Sequence, residues 1–501
     1  MAGVNDWNVA FEKAGWKNAI VARLAPKNDP TWSLEGAGHS AIVYKPSDIP
    51  NASGPHIHDP RTGEILESHI NWYHNVMNLV RDWYFIQTSA VDPRARMLVF
   101  PDSLMGKLVQ FVSAHEVGHT LGLRHNFGSS SSVPVESLRN RAWVEQYGHT
   151  PSIMDYARFN YVAQPEDNMS ETGLMARIGD YDKWAIEWGY KWIPEAKTAE
   201  EEIPILNRLT IEKLKDRRYW FGTEVDPDDP RAQSEDLGDN SVLASTYGIK
   251  NLQRIIVRLP EWTRQPNKDY TSLNQMYNQV VTQFNRYMNH VAKNIGGIYT
   301  TPKTVEQPGM VIEFTPVERQ KEAVKFLQDQ LFKTPTWLAN GDIASLTGTN
   351  SLVTINNLQT NILNRVISAN TINKFARAEV LEKNTYTATQ MLSDLKKAVW
   401  SELAGKQAID IYRRGLQKAY VESLRRIISP DPVTTVQFNP FGGSAAPSMN
   451  AKTSDAVSLA KAHLRSLSSE IKSSLALYKD ANSRAHLQDV VDRINNILDP
   501  K

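Results

Sequence analysis

The chain has 501 residues, of which 41% are hydrophobic and 22% are charged, a balance typical of folded globular domains rather than of disordered chains. Its 56 Lys and Arg face 55 Asp and Glu, so composition gives no electrostatic case for binding nucleic acid or an anionic membrane. Cysteine is absent, which excludes disulfides, thiolate nucleophiles and cysteine-based zinc sites.

The first ~100 residues are predicted to mix helices and strands, on the periodicity of their apolar residues. The start of the chain lacks the basic and apolar regions of a signal peptide, and no run of about 18 apolar residues predicts a membrane span. A helix is expected over 4–14 and strands over 18–24 and 40–44. An antiparallel pair is expected over 54–59 and 64–72, and helices follow over 73–86 and 104–121.

From about residue 200 onwards, helical periodicity replaces the strand signals. Long helical runs are predicted at 271–295, 316–331, 352–369, 385–403, 407–428, 454–478 and 483–498. The length of the chain favours two or three domains. We predict a catalytic domain over 1–195, a connecting region with an acidic loop over 196–264, and a helical domain over 265–501. Residues 437–452 are rich in Gly, Pro, Ser and Asn and predict a mobile loop.

One segment, SAHEVGHTLGLRH, carries most of the chemical information in this sequence. His115 and His119 are four residues apart, so on a helix their imidazoles project from one face, one turn apart, as two zinc ligands require. Glu116 is placed to take a proton from a water molecule at the metal. Gly122 tolerates a positive φ and permits a sharp turn that brings His125 back as a third ligand. Three ligands leave a position open, which favours a catalytic zinc ion over a structural one.

A second motif, PSIMDY, follows at residues 151–156. The pattern HExxHxxGxxH followed by such a methionine is the signature of the metzincin clan of zinc peptidases, which the region therefore resembles. The resemblance implies that His115, His119 and His125 bind zinc and that Glu116 is the general base. It also implies that Met154 forms the apolar floor beneath the metal, and that Tyr156 reaches the metal or the oxyanion.

A closer resemblance rests on longer stretches of the sequence. The segments HEVGHTLGLRHNF, SIMDYARFNYVAQPED, IGDYDKWAIEWGY and DPRTGEIL, with the tail SRAHLQDVV…ILDPK, resemble a family of large secreted bacterial zinc metalloproteases. Their zinc domain is related to the enzymatic subunit of a bacterial metalloprotease toxin. Metzincin domains usually begin with a strand, whereas this chain begins in a predicted helix. We therefore expect the parent protein to have a further N-terminal region, and the resemblance implies an extracytoplasmic location.

The fold class that follows from these features is α+β. We expect a metzincin-like domain with a mixed, mostly parallel twisted sheet and a long zinc-binding helix, followed by a mainly α-helical C-terminal domain. An extended peptide would pair with an edge strand at about 54–58. Residues 128–149 would shape the pocket beyond the scissile bond, and their serine run 129–132 indicates mobility.

Several alternatives stay open at this point. The leading hypothesis is a zinc endopeptidase that binds one catalytic Zn²⁺ and cleaves a protein or peptide substrate. We expect no nucleic-acid partner and no transmembrane segment, and the oligomeric state is left open. The alternatives are a metzincin-like binding scaffold with little turnover, or a narrow-specificity processing or toxin-like peptidase. His56 and His58 are either a second metal site or polar residues near the cleft. The acidic loop is a further candidate metal site, in which Ca²⁺ would be bound by Asp226, Asp228, Asp229, Asp236 and Asp239.

Overall fold

A computed structural model of the protein describes residues 1–34, 36–224, 226, 228–430 and 453–500. Its contacts divide the chain into two compact units: unit 1 contains residues 1–226 and 231–283, and unit 2 contains residues 227–230 and 284–501. The predicted domain boundaries near 195 and 265 stay predictions, and the predicted mobile loop 437–452 lies outside the described residues. Among the described helices, none is both long and apolar enough to span a bilayer.

Unit 1 combines helices with two small sheets. Its helices are Ala2–Asn5, Asn8–Lys13, Val76–Thr88, Asp102–Thr120, Arg141–Tyr147, Glu171–Leu174, Asp180–Tyr190, Ala199–Lys213, Ser241–Ile256 and Leu259–Trp262. The helix Thr271–Ala292 begins in unit 1 and continues into unit 2. The predicted helices at 4–14, 73–86 and 104–121 are confirmed, with ends shifted by a few residues and the first one interrupted at Trp7.

The larger sheet has the strand His69–Tyr73 at its centre. Ala41–Lys45 pairs with it in parallel, with Ala41 opposite His69, and Ala52–Ser53 pairs with it antiparallel on the other side. A separate hairpin joins Ile57–His58 to Ile65–Glu67, as the predicted antiparallel pair requires. The predicted edge strand over 54–58 is wrong as a single strand, because residues 54–56 lie between the edge strand Ala52–Ser53 and the hairpin strand Ile57–His58.

The sheet is mixed, as predicted, but "mostly parallel" is not correct for the described residues, since one of its two pairings is antiparallel. The predicted strand over 18–24 is also wrong. Its backbone bonds to helix side chains instead of to a strand: Asn8 Nδ2 donates to the Ile20 carbonyl at 2.8 Å, and the Ala22 N–H donates to Asn5 Oδ1 at 3.1 Å. Val21 is 57% exposed and Leu24 is 80% exposed, and Ile20 packs only partly against the core, so the segment lacks the continuous buried face of a sheet strand.

The core of unit 1 joins the N-terminal helices to the long helix Asp102–Thr120. The indole N–H of Trp7, which is fully buried, donates to the Ala114 carbonyl in that helix at 2.8 Å. Around it lies a cluster of buried side chains that comprises Ala10, Phe11, Ala14, Ile70, Ala114, Val117, Ile153, Met154, Ile178 and Ile186. This cluster therefore packs the long helix against the segment at 153–154.

Unit 2 is mainly helical, as predicted. Its helices are Val317–Leu327, Gly341–Thr347, Ser351–Val366, Ala369–Leu381, Ala388–Val399, Ser401–Gly405, Ile411–Ile428, Ala456–Ser474 and Ala481–Leu498, with a π-helical turn at Gln328–Phe332. A short antiparallel hairpin, Ile298–Thr300 with Ile312–Phe314, and the helices Gly341–Thr347 and Ala369–Leu381 were not predicted.

Candidate metal centre

The helix Asp102–Thr120 is fixed in unit 1 by an apolar stripe with a four-residue repeat. Its buried members at this spacing are Leu104, Leu108 and Val112. His115 and His119 follow on the next turns of the same helix, and both imidazoles point to one side of it.

The turn after this helix brings the chain back towards the two histidines. The Leu123 N–H donates to the Gly118 carbonyl at 3.1 Å and the Gly122 N–H to the His119 carbonyl at 3.0 Å, which is the bonding pattern of a Schellman motif. Gly122 has φ +86°, a left-handed conformation that a residue with a Cβ adopts only with strain. The chain direction set by this turn places His125 beside the helix.

The imidazoles of His115, His119 and His125 converge on one point. The Nε2 atom of His125 lies 3.3 Å from that of His115 and 3.2 Å from that of His119. Among the described residues, these three form the only group of three or more His, Asp or Glu side chains that could hold a metal ion. Three nitrogen donors at this separation match a tetrahedral site with one open position.

The other ring nitrogen, Nδ1, of each histidine faces an oxygen atom, which fixes the tautomer. When Nδ1 carries the hydrogen and donates it to an acceptor, the Nε2 lone pair is free for a metal. The acceptors are a carbonyl at 2.9 Å for the first two histidines and a carboxylate for the third. The pairs are His115 with Ile153, His119 with Leu123, and His125 with Glu224.

Burial shifts the pKa values of His115, His119 and Glu116. It lowers the pKa of His115 well below its ordinary value and also lowers the pKa of His119, so both rings are neutral and can bind a cation. Burial raises the pKa of Glu116 to about 7, and a hydrogen bond from the Gly54 N–H acts in the opposite direction. A buried carboxyl poised near neutrality is suited to accept and return a proton.

The segment around Met154 lies directly beneath the histidine helix. Met154 is fully buried, and a Cβ added at Gly118 would lie 2.4 Å from its sulfur, so the glycine between the histidines allows this close approach. The neighbouring Ile153 supplies the carbonyl that orients His115. The methionine turn therefore supports the metal site through a backbone carbonyl as well as through its side chain.

Two buried carboxyls hold the methionine turn in shape. Asp182, near the start of the helix Asp180–Tyr190, accepts hydrogen bonds from the Ser152 hydroxyl at 2.6 Å and from the Ile153 N–H at 2.8 Å. Asp155 accepts from the Thr150 hydroxyl at 2.6 Å and the Ser130 N–H at 2.7 Å. Burial raises the pKa of both carboxyls to about 7.

Tyr156 follows the turn in a left-handed conformation with φ 63°. Its ring centroid lies 5.5 Å from that of His115 and 5.1 Å from that of His125. The guanidinium of Arg158, paired with the buried Glu235 at 2.8 Å, lies 5.0 Å from the Tyr156 ring. The phenol is thus packed beside the metal-facing histidines, where it can serve as a hydrogen-bond donor.

A family of domains described as Met-zincin matches residues 97–407, which is more than half of the chain. The chain belongs to the Met-zincin family. Membership supports a metzincin-type zinc metallopeptidase, and together with the three-histidine cluster it supports zinc binding. No curated protein and no solved structure shows a significant match to the chain.

The Met-zincin site includes residues that sequence reasoning missed. Glu224 reaches His125 from 99 residues further along the chain, and no motif marks it. Asp182 caps its helix by accepting the Gly179 N–H at 2.8 Å, and no motif predicts its contacts with the methionine turn. Asp182 lies in the segment IGDYDKWAIEWGY, which is part of the family resemblance and its only signal in the sequence.

Other predictions about the surroundings of the Met-zincin site have mixed outcomes. The serine run does not form a loose surface loop, because Ser129, Ser130 and Ser131 are buried. His56 and His58 have ring centroids 5.4 Å apart, and His56 Nδ1 lies 3.2 Å from the His119 carbonyl oxygen. They belong to no three-residue metal group within the described part of the chain.

Calcium at the acidic loop has no support from the structure. Asp229 accepts a hydrogen bond from the Thr300 N–H at 2.8 Å, and Asp239 accepts one from the Val135 N–H at 3.1 Å. Asp228 forms an ion pair with Lys374. These carboxylates serve as acceptors for the protein itself, and the described residues contain no acidic metal cluster.

Proposed function

We propose that this chain is a zinc-dependent endopeptidase in which His115, His119 and His125 hold one zinc ion. The observation that carries the proposal is the convergence of three Nε2 atoms whose Nδ1 atoms all face oxygen acceptors. Three imidazole donors in this arrangement suit zinc and leave a coordination position for water or substrate.

Glu116 is the general base of the proposed reaction. Zinc bound at this site would lower the pKa of water and polarise the scissile carbonyl. The carboxylate of Glu116 takes the proton of the attacking water and returns it to the amine nitrogen of the leaving group. Burial keeps the carboxylate basic enough for this role, and the hydrogen bond from the Gly54 N–H, which acts in the opposite direction, holds the side chain in place.

Tyr156 supplies a hydrogen bond to the oxyanion that develops as water attacks. The position of its ring beside His115 and His125 supports this role. The contacts of Arg158 and Trp83 with its ring limit the freedom of the side chain. Met154 completes the apolar support below the histidines.

The substrate is proposed to bind as an extended strand. Ala52–Ser53 lies at the edge of the larger sheet, and the next residue, Gly54, donates its N–H to Glu116. A peptide added alongside this edge through backbone hydrogen bonds would pass the general base. This supports a protein or peptide substrate and an endopeptidase cleavage mode.

The resemblance that led to the metzincin clan carries further proposals. An extracytoplasmic location and a relation of the zinc domain to a bacterial toxin subunit stay predictions based on that resemblance. A narrow-specificity peptidase and a binding scaffold share the same histidine site, so they are separated by turnover and not by metal content.

The test of the proposed function is metal content together with digestion of a quenched-peptide library. We expect about one zinc ion per chain by elemental analysis, and cleavage that a chelator abolishes and added zinc restores, because three protein ligands define one catalytic site. Zinc without cleavage of any library peptide would contradict a general endopeptidase and favour the scaffold or the narrow-specificity enzyme. A protein that binds no zinc would refute the proposed site.

Replacing Tyr156 with phenylalanine is expected to lower kcat by about 100-fold, because loss of one oxyanion donor typically costs that much. The aromatic ring remains, so the packing against His115 and His125 and the zinc content should be preserved. Steady-state kinetics and elemental analysis on the same preparations check this. A zinc loss as large as that in His125→Ala would show that Tyr156 is mainly a ligand.

A further inference from the structure

The third histidine differs from the other two in what faces its Nδ1 atom. His115 and His119 face backbone carbonyls, whereas His125 faces the side-chain carboxylate of Glu224. Glu224 has a side chain that is 33% exposed, and its other charged neighbour is Arg124, at 3.6 Å. The site thus contains one negative charge that neither the metzincin motif nor the family match assigns.

The chain segment that carries Glu224, residues 220–224, is docked on the loop of the third histidine; we call it the strap. Asn126, fully buried, accepts a hydrogen bond from the Gly222 N–H at 2.8 Å and donates one to the Trp220 carbonyl at 3.0 Å. An isolated antiparallel bridge links Asn126 to Thr223. These contacts fix the strap one residue before Glu224, so the carboxylate is presented to His125 by backbone structure.

Close backbone packing reinforces this docking. A Cβ added at Gly128 would lie 2.3 Å from the Trp220 ring and 2.8 Å from the Cα of Gly222, so the two glycines let the strap lie directly on the loop. The Asn126 N–H donates to the Met154 carbonyl at 2.9 Å, which joins the same loop to the methionine turn. The loop of His125, the methionine turn and the strap are therefore joined by hydrogen bonds within unit 1.

We propose that Glu224 is a positioning residue that holds His125 in the tautomer and orientation required for metal binding. The inference rests on the metal-binding part of the proposed function. A carboxylate that accepts the Nδ1 hydrogen leaves the Nε2 lone pair free and makes the imidazole a stronger donor. The side chain of His125 is 23% exposed, whereas His115 is buried, so packing restrains the His125 ring less. The contact with Glu224 supplies this restraint.

The experiment measures zinc affinity by competition with a chromophoric chelator in the full-length chain. Glu224→Ala is expected to bind zinc about 10–100-fold more weakly than the wild type, the range typical of lost carboxylate–histidine contacts. Glu224→Gln keeps an acceptor oxygen but loses the negative charge, so its zinc affinity should lie between those of the wild type and Glu224→Ala. Glu212→Gln, an exposed glutamate paired with Lys215, is the matched control, and His125→Ala marks the loss of the ligand itself.

The melting temperature of the zinc-free protein separates positioning from simple structural support. A weaker affinity with an unchanged zinc-free melting temperature supports the proposal. It is overturned if Glu224→Ala binds zinc as tightly as the control, if its affinity loss is matched by a lower zinc-free melting temperature, or if Glu224→Gln binds more weakly than Glu224→Ala. Because zinc affinity needs no turnover, a wild type that binds zinc but cleaves no library peptide would contradict a general endopeptidase and leave this test valid.

Discussion

Replacing Glu116 with glutamine is expected to reduce peptide hydrolysis by about 10³-fold or more while zinc stays at one ion per chain, because the loss of a positioned general base costs on the order of 10²–10⁴-fold. Glutamine matches the size of glutamate and keeps an oxygen that can accept the Gly54 N–H. It has no basic site for the proton of the attacking water. The three histidines and their oxygen acceptors are untouched, so metal binding should not change.

The measurement compares Glu116→Gln with Glu212→Gln, both purified by the same procedure and loaded with zinc. Elemental analysis gives the metal content, and the quenched-peptide library gives the turnover. Glu212 lies on an exposed helix surface, so its variant should match the wild type in both readouts. Substantial hydrolysis by zinc-loaded Glu116→Gln, after contaminating proteases have been excluded, would remove Glu116 from its proposed role.

The sequence allowed the centre of the site to be predicted because that chemistry is local. His115, Glu116, His119 and His125 lie within eleven residues, and their spacing on a helix and a glycine turn determines where the side chains point. The partners that orient them are distant. Glu224 and Asp182 come from segments that only tertiary packing brings to the histidines and the methionine turn.

The errors in the predicted fold have a similar cause, since they also depend on contacts that only tertiary packing determines. The helices of unit 2 were predictable because their apolar periodicity extends over many residues, as in Ile411–Ile428 with its buried Leu416, Tyr420 and Leu424. The apolar residues over 18–24 resemble a strand, but a strand requires a partner. Asn5 and Asn8 bond to that segment instead, and short apolar runs do not show which partner the backbone will choose.

Arg413→Met is expected to destabilise unit 2 by about 3–5 kcal/mol, because removing one member of a buried ion pair leaves an uncompensated charge. Arg413 is 6% exposed and Glu402 is 8% exposed, and their two hydrogen bonds are parallel, through Nε and Nη2. The same guanidinium donates to the Val399 carbonyl at 2.6 Å and to the Phe332 carbonyl. Val399 is the last residue of the helix Ala388–Val399, and Phe332 is the last residue of the π-helical turn. Without Arg413, the Phe332 carbonyl loses this buried donor, and the Val399 carbonyl keeps only the longer hydrogen bond from Gln417 Nε2 at 3.2 Å.

Hydrogen–deuterium exchange of the helices Ala388–Val399 and Ile411–Ile428 reports this loss within unit 2 alone. Lys418→Met, on the same helix, removes an exposed ion pair with Asp489 and should cost less than about 1 kcal/mol. The double variant Arg413→Met with Glu402→Met should recover part of the loss, because no buried charge then remains unpaired. If Arg413→Met exchanges no faster than Lys418→Met, the buried pair does not stabilise unit 2. Zinc content should be the same in all these variants, since the histidine site and its oxygen acceptors lie in unit 1.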